Sequence, residues 1–388
     1  MIPRRQLPVA SPVSLRAVGA ATVASLVGTA SLAQARALVL QRWNAAEAVL
    51  TDSGTSALVC ALRLAVPPGG IVAFPGYACI DLAAAALRAG TRVRLYDIDP
   101  ATLSPDLNSV ERVMRRGIDA IVVAHLFGYP ADVDAVRVLA ARHRVTIIED
   151  AAQGAGATLH GRRLGSLGDL SILSFGRGKG LCAGGGGALL AHNDAWRTRV
   201  SALSLASPGG GLGLLARTAI QWMLGRPSIY RLPSMLPWLR LGEMVYHEAS
   251  EPKAISRASA ALLPSAVKLE DMHMGARRRV AAALDERVRG APGFAPVRPV
   301  DGSIPGYLRY AVLDVSGTRR VTPALGVVQP YPRTLAEQEE LAPLLLAGEP
   351  PIRGAAALRR SLFTLPTHHL VEPRDLSMLD SWFGAGGR

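Results

Sequence analysis

The chain has 388 residues, 49% of them hydrophobic, with 39 Gly and 27 Pro. That composition excludes a disordered chain and leaves room for one large domain plus a smaller one. Forty-three basic against 30 acidic residues give a formal net charge of +13. The basic residues read as scattered, so a solvated, arginine-biased surface is favoured and no nucleic-acid partner is expected.

Arg4-Arg5, the Ala/Val/Leu-rich stretch 17–33 and Ala35-Arg36-Ala37 imitate an export signal. Gly, Ser and Thr break the apolar run, so residues 1–40 are expected to form a helical segment packed on the body. Ser53-Gly54-Thr55-Ser56 then opens a helix through Leu58, Leu62 and Leu64, ended by Pro67-Pro68-Gly69-Gly70. Short apolar runs predict strands at 71–74, 92–96, 120–123 and 145–149, with helices over 80–89 and 131–142. This alternation predicts an α/β architecture, a mostly parallel sheet flanked by helices, with its ligand beyond the strands' carboxyl ends. The large domain is expected over 41–250, with an apolar insertion at about 205–245. Its apolar residues, including Leu212, Leu214, Ile220, Trp222, Met235, Leu236 and Trp238, are interrupted by Arg217, Arg226, Arg231 and prolines, so it does not read as a spanning helix. An insertion packed on its own core and a membrane-surface or partner contact through 210–240 are both open readings. A smaller α+β domain is expected over 251–388, with a long helix at 258–288 and strands at 307–313 and 361–365.

The three cysteines, Cys60, Cys79 and Cys182, are odd in number and lack metal-site spacing. A reduced, cytoplasmic interior is the expectation, with no metal.

Lys179 is one of only three lysines in a chain that otherwise uses arginine. Lysine, unlike arginine, can lose its proton and form an imine with an aldehyde. Asp150 stands at a strand end, where a carboxylate can hold a pyridine nitrogen protonated. Ser53-Gly54-Thr55-Ser56 is a helix start, whose free N–H groups favour a phosphate. Gly178-Lys179 does not complete a phosphate-binding P-loop, because Leu173 and Gly180 stand where that motif needs Gly and Ser or Thr. Gly184 to Gly187 precedes a strand, not a helix, so no dinucleotide fingerprint is present.

Residues 146–194 resemble the DegT-type sugar aminotransferases, fold type I enzymes that use pyridoxal 5'-phosphate (PLP). The resemblance extends through GTSAL at 54–58, the loop after Pro75, AHLFGYPADVDA at 124–135 and LPTHHL at 365–370. It implies that Lys179 holds PLP covalently, Asp150 pairs with its ring nitrogen and Gln153 bonds its phenolic oxygen. It further implies that Gly54, Thr55, Ser56 and Ser174 take the phosphate, and that Arg257 reaches across a homodimer. Lys179 also argues against the branch that carries histidine there and dehydrates sugars. Three residues depart from the family pattern. Cys79 replaces the usual stacking aromatic, with Tyr77 the nearest substitute; Ile255 replaces an asparagine; Gly185 replaces a frequent glutamate. The implied function is transfer of an amino group from glutamate or glutamine to a keto group of a nucleotide-linked or cyclitol-type sugar. A different PLP reaction on an unusual, lipophilic substrate and a non-catalytic regulatory or membrane-surface protein are the alternatives.

Overall fold

The computed structural model describes residues 5–207, 211–234 and 245–384. Its first two helices are α1 (Leu15–Val27) and α2 (Leu32–Trp43). Ser14 and Ser31 cap them, each hydroxyl accepting from a backbone N–H three residues on, and Gly28 ends α1 with a left-handed φ of 77°. Residues 28–31 separate the two helices.

The sheet follows in short steps. Strand β1 (Glu47–Thr51) leads to α3 (Gly54–Ala65), β2 (Ile71–Pro75), α4 (Asp81–Ala89), β3 (Arg92–Tyr96) and α5 (Leu107–Arg115). Next come β4 (Ala120–Ala124), α6 (Val133–His143), β5 (Thr146–Asp150), and the two-residue strands β6 (Thr158–Leu159) and β7 (Arg162–Arg163). Strands β8 (Leu170–Ser174) and β9 (Gly187–Ala191) and helix α7 (Asp194–Ser201) complete the unit. The seven-stranded order is β1-β9-β8-β5-β4-β2-β3. Every neighbouring pair is parallel except those made by β9, which runs antiparallel to β1 and β8. Helices cover both faces, so central strands need no polar side: β4 and β9 are buried at every residue. Asp150 and Ser174 are the last residues of β5 and β8, which sets both at the carboxyl edge.

The apolar stretch expected as an insertion forms α8 (Leu212–Leu224) and α9 (Pro227–Ser234). It does not pack on a core of its own. Helix α8 lies on α1 and on the long α10 (Arg257–Arg289). Met235, Leu236 and Trp238 lie outside the described residues.

The remaining elements are β10 (Phe294–Pro296), β11 (Ser303–Ile304), β12 (Tyr310–Asp314), α11 (Arg353–Ser361), β13 (Leu362–Leu365) and α12 (Pro373–Gly384). Strands β10, β12 and β13 make an antiparallel sheet over a core of Leu284, Val312, Phe363, Leu379 and Trp382. Residue Arg309, just ahead of β12, bonds back through its N–H to the carbonyl of Phe127, 3.2 Å away, and so ties this sheet to the loop after β4.

Candidate active site

Helix α3 begins against the end of β8. Ser53 caps it, its Oγ accepting from the Ser56 N–H at 3.0 Å and donating to Ser56 Oγ at 2.9 Å. A Cβ on Gly54 would stand 2.7 Å from the Cβ of Ser174. Only glycine lets the first helical N–H groups and the Ser174 hydroxyl share one spot. Among the described residues, neither Ser174 Oγ nor Thr55 Oγ1 has a hydrogen-bond partner, whereas Ser56 Oγ is engaged by its cap. Free N–H groups at a helix start with two spare hydroxyls form a cradle for a phosphate.

The Lys179 loop is closed at its root. Phe175 N–H bonds to the Gly186 carbonyl at 2.8 Å and Ala183 N–H to the Phe175 carbonyl at 2.9 Å. The N-terminal segment crosses it, with Ser11 Oγ accepting from the Gly178 N–H at 2.8 Å. On the far side, Gly180 is pressed between Ala155 and the guanidinium of Arg277. The half-buried Lys179 has no ion pair or hydrogen bond among the described residues.

Asp150 accepts from the Ala152 N–H at 3.0 Å. Burial pushes its carboxyl up, against the pull of that bond and of Lys179 and His125. Lys179 also acts on Cys79, whose thiol burial pushes up and whose Sγ lies 3.3 Å from Asp81 Oδ2. Lys179, Asp150, Cys79 and Asp81 thus stand close enough for their charges to act on one another.

Gln153 is held from two sides. Its Oε1 accepts from the Phe127 N–H at 3.0 Å and its Nε2 donates to Tyr331 Oη at 2.8 Å, leaving one amide hydrogen. Tyr331 packs against Tyr77 and Phe127, with ring centroids 5.1 and 5.3 Å away. Tyr77 is 1% exposed and belongs to this aromatic wall. Arg257, the first residue of α10, is exposed, and among the described residues its side chain has no hydrogen bond or ion pair.

Behind the pocket, Glu149 organises the backbone. Its carboxylate accepts from His125 Nε2 at 2.9 Å, from the N–H groups of Gly165, Leu167 and Gly168, and from Ser171 Oγ. Burial pushes its carboxyl up, yet these donors, His125 first, outweigh it and hold it at about 2. His125 Nδ1 accepts from the Ala131 N–H at 2.9 Å, so both ring nitrogens are spent on structure.

Sequence reasoning missed two residues. Asp81 opens α4 beside Cys79. Arg309 stands among Tyr77, Tyr331 and Tyr230. Its Nη1 reaches Thr364 Oγ1 at 3.4 Å, and among the described residues no carboxylate lies within 4.0 Å of its guanidinium. Burial lowers its pKa. The available signal was a single arginine inside the apolar strand run Tyr307-Leu308-Arg309-Tyr310-Ala311-Val312.

The two pattern departures nearest the loop now have a steric cause. A side chain at Gly185 would meet Leu214 of α8 at 2.9 Å, and Ile255 fills the space beside Gly186 at the same distance. Helix α8 sits where a side chain at position 185 would stand.

The residues fit PLP: a phosphate cradle at α3 and Ser174, an acid at a strand end within reach of the charge of an unpaired lysine, and a wall of aromatic and amide groups. The sheet order is that of a fold type I protein. The sequence model of the DegT/DnrJ/EryC1/StrS aminotransferase family matches residues 36–211 of this chain. It is 31% identical over 288 residues to an L-glutamine:2-deoxy-scyllo-inosose aminotransferase of Streptomyces lividus, an alignment of 74% of this chain and 63% of that protein. The chain thus spans less than two thirds of that relative's length. It is 37% identical over 144 residues to a UDP-N-acetyl-3-dehydro-alpha-D-glucosamine 3-aminotransferase of Acidithiobacillus ferrooxidans, covering 37% and 39% of the two chains. The crystal structure of a sugar aminotransferase, CalS13, from Micromonospora echinospora superposes with a TM-score of 0.74 at 24% identity, over all of both chains.

Proposed function

We propose that this chain is a PLP-dependent aminotransferase that carries an amino group from glutamate or glutamine to the keto group of a sugar, nucleotide-linked or cyclitol-type. The observation that carries the reading is Lys179, unpaired among the described residues, whose charge acts on the strand-end carboxyl of Asp150. PLP supplies an aldehyde for amine exchange and a ring that withdraws electrons from the donor's α-carbon. Lys179 would bind the cofactor through its ε-amine and, when free, would carry a proton to and from the reacting carbons. Asp150 would keep the ring nitrogen protonated. Gly54, Thr55 and Ser174 would hold the phosphate, Ser56 serves chiefly to fix the helix start, and the spare Gln153 hydrogen would be available to the phenolic oxygen. Cys79 would stand beside the ring. Arg309 receives the donor's carboxylate, because a half-buried guanidinium with no acid partner among the described residues offers paired N–H groups to a ligand anion. Arg257 serves a neighbouring subunit's site in a homodimer.

The test uses purified protein. Wild type is expected to be yellow, to lose its visible band on adding glutamate or glutamine, and to yield pyridoxamine phosphate. Lys179→Ala is expected to bind PLP without a borohydride-sensitive band. A wild type that never takes up PLP sinks the reading. Loading with pyridoxamine phosphate and asking which keto sugars restore the band then identifies the acceptor.

A further inference from the structure

The net charge of +13 is not spread as the basic residues alone imply. Residues 1–46 and 195–242 contain no Asp or Glu at all, and they carry eleven arginines. The rest of the chain holds 32 basic against 30 acidic residues and is close to neutral. It is the missing acids, not clustered bases, that concentrate the charge. Acids elsewhere neutralise some of these arginines: Arg36 pairs with Glu47, and Arg42 with Glu270 and Asp271. Arg16 on α1, Arg217 on α8 and Arg226 between α8 and α9 have no ion pair among the described residues.

The same two stretches fold together, since α1 packs on α8. Both helices turn apolar side chains outward. On α1 the exposed row includes Leu15, Val23, Leu26 and Val27, the last three 61–70% exposed. On α8 it includes Leu212, Ile220 and Met223, each about half exposed. These two helices hold seven of the fifteen exposed large hydrophobic residues in the described structure. Their spacing of three, four and eight residues puts each row on one helical face. Arg16 and Arg217 are the only charged residues on α1 and α8.

We infer that the α1–α8 face docks on an anionic membrane surface. An outward apolar row bordered by arginines, with no carboxylate on either helix, fits the interface of an anionic bilayer, where aliphatic side chains enter the headgroup layer and cations meet lipid phosphates. No described helix is long and apolar enough to cross a membrane, so the chain lies on the surface instead of spanning it. A second copy of this chain fits less well. A two-fold contact would set one acid-free arginine face against its own image, with no carboxylate to answer the charge.

The test is flotation of the full, PLP-loaded chain with phosphatidylcholine vesicles, with and without phosphatidylglycerol, and light scattering of the same samples without lipid. Binding to the anionic vesicles alone, weakened by salt, is the expected result. Arg16→Glu with Arg217→Glu should lower it at least about tenfold, and Val23→Ser with Ile220→Ser should lower it too. All four side chains are exposed, so the variants keep the core intact. Equal binding to neutral vesicles, or none to either, overturns the inference. So does a fall in oligomer mass on Val23→Ser with Ile220→Ser, which would assign the face to self-association.

Discussion

Gly54 is where the smallest change has the largest reach. Its missing Cβ is what lets the end of β8 touch the start of α3, and Ser174 has no room to retreat. Gly54→Ala is expected to cost about 1–3 kcal/mol of stability in denaturant unfolding and to speed PLP loss in dialysis. Arg309 is a different case. Arg309→Gln removes a half-buried cation with no acid partner among the described residues, so Tm should hold while the KM for glutamate increases and PLP absorbance stays intact. A lower Tm with unchanged KM would assign Arg309 to structure. The places of Asp150 and Ser174 at strand ends were legible in the sequence, because short apolar runs show where a strand stops. The neighbours of Arg309 and Asp81 were not. Folding brings them together, and Arg309 comes from just ahead of β12, more than 120 residues after Lys179.

Helix α8 shows how an element can be read in composition and misplaced in space. Its apolar content was plain, but apolar residues at helical spacing do not say which helix they meet. The structure sets Leu214 over Gly185 and Thr218 over Gly184, whose φ is +77°. The lysine loop and the added helix are therefore one packing unit. Gly185→Val is expected to lift α8, seen as faster amide exchange over 212–224 and a broadened visible band at Lys179. No change in either would show that α8 rests on α1 and α10 alone. The strands were the more legible elements. Their short apolar runs fix both ends within a residue or two, as at β3 and β5, because the sheet is covered on both sides. The antiparallel run of β9 had no sequence signal, since direction is set by the connections around a strand and not by its residues.

At the scale of the molecule, Glu149 binds β5, β8 and the loop between them into one body. Its carboxyl sits at about 2 in the fold against an ordinary 4.5. The folded state therefore binds its proton more weakly than the unfolded state does. Its stabilising contribution is complete above pH 4.5 and is lost as pH falls from there towards 2. Wild type should lose stability across that window, and Glu149→Gln, which costs about 3–5 kcal/mol at neutral pH, should flatten the slope. Denaturant midpoints measured against pH decide this. The sheet order has one more effect, on how the chain comes together. The first strand made, β1, has no sheet neighbour except β9, which lies about 140 residues further on. While the ribosome is still adding the middle of the chain, Glu47–Thr51 has nothing to pair with. The core strands β2, β4, β5 and β8 can assemble first, and β1 joins last together with the Ser53 cap it feeds. Cofactor capture should therefore be a late event of folding, trailing the recovery of helix and strand signal when the denatured chain is diluted into PLP.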